Sequence, residues 1–168
     1  TSISSLPAAI STGKVLQVKQ STKTDSFATN STSMVDITGF SVSITPSSSS
    51  NKILVIVNAG ILSNSAGSGA LINLLRDSTN LISNTSGGSA DTYNAWNAAG
   101  GGGMTNNDRK YNASPSISYL DSPSSTSSLT YKCQLSVNNG STYGYLNQWS
   151  LNTDHAAVST ITVMEISA

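Results

Sequence analysis

Few residues in this chain could do chemistry. His155 is the sole histidine and Cys133 the sole cysteine, so a Cys/His metal cluster cannot be assembled. Serine is abundant, but its hydroxyl is a weak nucleophile without an adjacent base. The carboxylates are Asp25, Asp36, Asp77, Asp91, Asp108, Asp121, Asp154 and Glu165. Two of them roughly 5–10 Å apart could cut a glycosidic bond, yet their spacing singles out no pair. The glycine run 100–103 lacks the following Lys-Ser/Thr of a phosphate loop. These residues predict a chain that binds rather than turns over substrate, with no cofactor and no metal.

Aromatics offer a different chemistry. Tyr93, Trp96 and Tyr111 fall in a long stretch without period, 84–115, and Asp108-Arg109-Lys110 beside Tyr111 is the densest charge cluster. Loops of this length are uncommon in compact domains and are often functional. Flat aromatic faces with polar partners suit sugar rings, which present CH faces and hydroxyls. Tyr93, Trp96, Arg109 and Tyr111 are therefore the candidate glycan- or receptor-binding residues. Tyr143, Tyr145 and Trp149 could serve likewise, but packing in the core accounts for them more readily.

Strands must position these loops. Phe40, Val42 and Ile44 alternate with Ser41, Ser43 and Thr45; Leu129, Tyr131, Cys133, Leu135 and Val137 alternate with Thr130, Lys132, Gln134 and Ser136. Each run buries one face and wets the other. Cys133 lies in the buried phase and reads as a small core hydrophobe. Further strands are predicted at 14–20, 33–37, 39–45, 52–62, 70–75, 81–82, 116–120, 143–149 and 158–166, with a short one near 92–96. Asn138-Asn139-Gly140 predicts a hairpin turn. In the last strand Ile161 and Val163 take one face, Met164 and Ile166 the other. No helix is predicted. The fold class is all-β, an antiparallel β-sandwich of jelly-roll type, with 1–13 a lead-in or attachment segment and 14–168 one domain.

Two strands break the alternation. Ile53 to Val57 and Leu71 to Leu75 are apolar on both faces, where a sandwich strand with one solvated face should alternate. A second subunit would cover the extra face, and Leu54, Ile56, Ile72 and Leu74 are the candidate interface residues. The competing reading is that the chain's own loops cover both. The pair Arg76-Asp77 reads as a solvated turn, or as a contact across that boundary.

Composition narrows the partners. The chain has 168 residues, 10% of them charged, and zero formal net charge. No basic stripe tracks nucleic acid, and no apolar run approaches the ~18 residues of a membrane span. Thr1 to Ile10 lacks the basic start and long apolar stretch of a leader. Roughly half the residues are Ser, Thr, Asn or Gly, well above ordinary usage.

An ordered set of segments carries a resemblance. It runs through Gly13-Lys14-Val15-Leu16-Gln17-Val18, Met34-Val35-Asp36-Ile37-Thr38-Gly39-Phe40, Asn51-Lys52-Ile53-Leu54-Val55 and Leu74-Leu75-Arg76-Asp77-Ser78-Thr79. Ser21-Thr22-Lys23-Thr24-Asp25-Ser26-Phe27, Ile44-Thr45-Pro46, Ser118-Tyr119-Leu120-Asp121-Ser122-Pro123, Thr130-Tyr131-Lys132 and Ser159-Thr160-Ile161-Thr162-Val163-Met164-Glu165-Ile166 complete it. Together these resemble a module of phage structural proteins, common at the C-terminal end of tail-fibre-like chains, and 84–112 falls outside the shared pattern. The resemblance implies a virion protein at the particle surface: a homotrimeric fibre or fibre tip that touches other virion proteins and displays loops to host glycans. A capsid decoration or head-fibre protein is the alternative, and a secreted carbohydrate-binding module the third.

Overall fold

The computed structural model describes residues 13–60, 62–64, 70–82, 97–99, 112–137, 139–149 and 152–168. Fifteen strands are described: β1 (Val15–Lys23), β2 (Phe27–Thr29), β3 (Val35–Ile44), β4 (Lys52–Asn58), β5 (Leu62–Asn64), β6 (Ala70–Arg76), β7 (Thr79–Asn80), β8 (Asn97–Ala99), β9 (Asn112–Ala113), β10 (Ser116–Asp121), β11 (Leu129–Val137), β12 (Gly144–Leu146), β13 (Gln148–Trp149), β14 (Asn152–Ala156) and β15 (Ser159–Ile166). No helix occurs among the described residues. Every pairing is antiparallel.

The strands form a β-sandwich. One sheet has the order β1-β15-β4-β10; the other runs β3-β11-β6-β7, with β8 also paired to β6. Their inner faces share one core. Ile53, Val55 and Val57 of β4 and Ile161 and Val163 of β15 meet Phe40, Val42 and Ile44 of β3, Ile72 and Leu74 of β6, and Tyr131, Cys133 and Leu135 of β11. The alternation read in 40–44, 129–137 and 158–166 sets which side chains enter. A small sheet, β2-β12-β5-β9, closes one end, and β13-β14 form a ribbon.

Several expected elements are arranged differently. Segments 33–37 and 39–45 are one strand, β3, interrupted where its pairing with β11 shifts between Lys132 and Gln134. Gly39 at φ 76° supplies the left-handed residue there. The strand expected over 52–62 ends at Asn58, and β5 joins the small sheet instead. Gly60 marks the corner: a Cβ there would lie 2.5 Å from the Val158 carbonyl oxygen. After Arg76, Asp77 at φ 53° turns the chain directly into β7, two residues earlier than the strand expected at 81–82.

The Asn139-Gly140 turn does not make the expected hairpin. β11 pairs with β3 and β6, whereas β12 pairs with β2 and β5. The turn carries the chain out of the sandwich sheet and into the end sheet. The strand expected over 143–149 is split by Asn147, which is buried at φ 59°. Its amide donates to the carbonyl oxygens of Lys23 (2.9 Å) and Asp25 (3.2 Å) and its Oδ1 accepts from Ser159 Oγ at 2.6 Å.

Candidate interaction surface

The two doubly apolar strands have different fates. In β6, Ile72 and Leu74 are fully buried core residues, so they cannot form an intersubunit contact, which corrects their expected role. The opposite face of β6 is buried too, with Leu71 6% and Leu75 8% exposed in the single chain. No second copy is needed there. In β4 the inner residues Ile53, Val55 and Val57 are buried, while Leu54 and Ile56 point outward and stay half-buried.

Register extends that outer face across the whole sheet. Leu54 pairs with Met164 on one side and Leu120 on the other, and Met164 pairs with Val18. Directly opposed residues share a face, so Val18, Met164, Leu54 and Leu120 form one apolar row over all four strands. Its ends are open: Val18 is 53% and Leu120 51% exposed. The row spans ~15 Å at the usual strand spacing. On one side lies Val15–Ile166–Lys52 and on the other Gln20–Thr162–Ile56–Ser118, followed by Thr22–Thr160–Asn58 with Ser116. Lys52 is the one charge in these four rows. Depletion of charge around an apolar centre is the mark of an interface core.

Buried polar ties hold this sheet in place at one end. Glu165 is fully buried in the inner phase of β15. Its Oε1 accepts from Ser47 N (2.6 Å), Ser47 Oγ (2.7 Å) and Asn51 Nδ2 (2.6 Å), and its Oε2 accepts from Gln17 Nε2 at 2.7 Å. Burial alone would raise its pKa; the bonds from Asn51, Gln17 and Ser47 outweigh that and bring it down to about 2. Gln17 also donates to Thr45 O, and Asn51 Oδ1 accepts from Ala168 N. One carboxylate thus ties β1, β15 and the 45–51 turn together.

Asp121 ties the two sheets at the same end. It accepts from Arg76 Nη1 at 2.7 and 2.6 Å and from the buried Tyr131 hydroxyl at 2.7 Å. Burial, then the adjacent Asp121, pushes the Tyr131 phenol far above its ordinary range. Arg76 is therefore neither a solvated turn residue nor free for a neighbour. Asp77 Oδ1 accepts from Thr130 N within the chain. Sequence reasoning missed both acids, although two-residue spacing could have found them: Glu165 shares a face with Val163, and Asp121 with Tyr119.

The remaining candidates separate by placement. Tyr93, Trp96, Arg109 and Tyr111 lie outside the described residues, as does any strand at 92–96; β8 begins just after it. Cys133 is buried, and burial raises its thiol pKa strongly. Among the described residues no group of His, Cys, Asp or Glu is placed to hold a metal. No family model matches the chain, and no curated protein matches it in sequence.

Proposed function

We propose that this chain is a structural module of the virion surface, a fibre or fibre tip of a phage particle. It assembles as a homotrimer through the outer face of the β1-β15-β4-β10 sheet. One observation carries the self-association: the nearly uncharged row Val18–Met164–Leu54–Leu120, which the single chain leaves open. Burying the exposed half of Val18 or Leu120 contributes about 1 kcal/mol each. A stable contact needs ~800 Å² per partner, so the hydroxyl rows beside the apolar one belong to the contact as well.

The ordered segments shared with tail-fibre-like chains support placement on a phage particle. Strand order supports the jelly-roll reading. In chain order β1, β3, β4 and β6 alternate between the two sandwich sheets, β7 and β8 stay with β6, and β10, β11 and β15 alternate again, a double-sheet arrangement compatible with a jelly roll.

An antibody to the folded chain, applied to intact particles, tests the reading by electron microscopy. Labelling at fibre ends supports it. Labelling over the head gives the decoration alternative, and particles without label overturn a virion role.

A further inference from the structure

The end sheet presents an aromatic pair that sequence reasoning assigned to packing. Tyr143 and Tyr145 sit two residues apart, their ring centroids 6.1 Å apart and their planes tilted by 31°. Tyr143 is 47% exposed and Tyr145 half-buried. On β12 the neighbours of Tyr145, Gly144 and Leu146, point inward and are buried, and Leu146 joins the core. Tyr145 therefore points outward, and its partner on β2 is the exposed Ala28. A single methyl group beside the ring leaves that flank of Tyr145 low and open.

The two adjoining segments are uncharged. Residues 27–34 and 139–147 contain no Asp, Glu, Lys or Arg, and supply Thr29, Asn30, Ser31, Thr32, Asn139 and Thr142 among others. These segments are fastened to each other. Asn30 Nδ2 donates to Gly140 O at 3.5 Å, and Val137 N to Ser31 O at 2.9 Å. Asn139 closes its own turn, with Oδ1 accepting from Ser141 N and its carbonyl accepting from Thr142 N and Oγ1. The rings thus stand on backbone held before any ligand arrives, which lowers the ordering cost of binding.

We infer that Tyr143 and Tyr145 form a stacking platform for a neutral carbohydrate. An exposed phenol ring offers an apolar face and a polar edge. A pyranose offers the complement: a CH face for the ring, and hydroxyls for the neighbouring amides and hydroxyls. An anionic or cationic ligand would find no countercharge in these two segments. The inference rests on this corner of the fold and not on the particle or on the oligomer contact, which uses a different sheet.

Saturation-transfer NMR on the full chain tests it, with methyl pyranosides and neutral oligosaccharides at millimolar concentration as probes. The expected result is transfer to the CH protons of one pyranose face, reduced about five- to tenfold in affinity by Tyr143→Ala or Tyr145→Ala and retained in Tyr143→Phe. Thermal melting and solution mass of the variants should match the parent chain, which separates this result from any failure of the oligomer reading. Three results would overturn the inference: no transfer from any neutral sugar, transfer indifferent to both alanine variants, or transfer abolished by Trp96→Ala alone. Binding of an apolar peptide with no sugar bound would overturn it as well.

Discussion

Replacing Glu165 by glutamine keeps the shape of a buried clamp and removes its charge. Glutamine retains one acceptor oxygen and gains an NH2. Turned towards Ser47 and Asn51, the oxygen keeps three bonds (2.6–2.7 Å in the parent), each weakened because the acceptor is no longer ionised. The NH2 then faces Gln17 Nε2, a donor. Gln17 can rotate its amide to accept, but it then loses its 2.8 Å bond to Thr45 O. Half the strength of three charge-assisted bonds and one neutral bond, less the relief of desolvating a charge, leaves ~1–3 kcal/mol. For a domain of this size that lowers Tm by about 3–10 °C at neutral pH.

The pH dependence fixes the sign. The folded pKa of Glu165 is depressed from 4.5 to about 2. Its contribution is therefore present above the unfolded value and is lost as pH falls through the folded value. The Tm difference between parent and Glu165→Gln should be constant above pH ~5 and shrink towards pH ~2. Asp25 and Asp36, which hydrogen bonds from Lys23 and Lys132 hold below the usual range, titrate alike in both proteins and cancel in the difference. Calorimetry of both proteins from pH 7 to pH 2 reads this directly. Equal Tm values at neutral pH, or a difference that does not change with pH, would refute the clamp.

Other variants probe the same frame. Tyr131→Phe removes one donor from Asp121 but leaves Arg76 in place, and should cost ~2 kcal/mol in urea unfolding; a neutral result would show that the Tyr131–Asp121 bond contributes nothing. Native Cys133 should resist thiol reagents until the chain is denatured, because burial disfavours its thiolate, and rapid labelling of the folded protein would contradict its placement in the core.

The sequence shows the strands better than it shows their neighbours. Alternation in 40–44 and 158–166 identifies inner and outer side chains correctly, down to Met164 and Ile166 on the outer face, whereas in 129–137 it fails at Ser136, which was expected on the wet face and is fully buried. The strands β4 and β6 look alike in sequence, yet the chain buries both faces of one and leaves the other open. That difference depends on what lies over each strand, which no local pattern records. Val18 and Leu120 look like ordinary core residues because their exposure follows from register across four strands. The turn at Asn139-Gly140 was legible as a turn, but its destination was set by pairing of β12 with β2, far away in the chain. Exposure of Tyr143 follows from that destination, and so it was missed.

Multi-angle light scattering of the isolated chain, beside Leu54→Asp, bears most directly on the proposal that the open face joins copies of this chain. Leu54 sits at the middle of the apolar row with its side chain outward, so aspartate there places a charge in the contact while leaving the core intact. The parent protein should show three times the mass of one chain, persisting on dilution, and the variant should be a folded monomer. A parent chain that is monomeric throughout, or a variant that keeps the parent's mass, would contradict it.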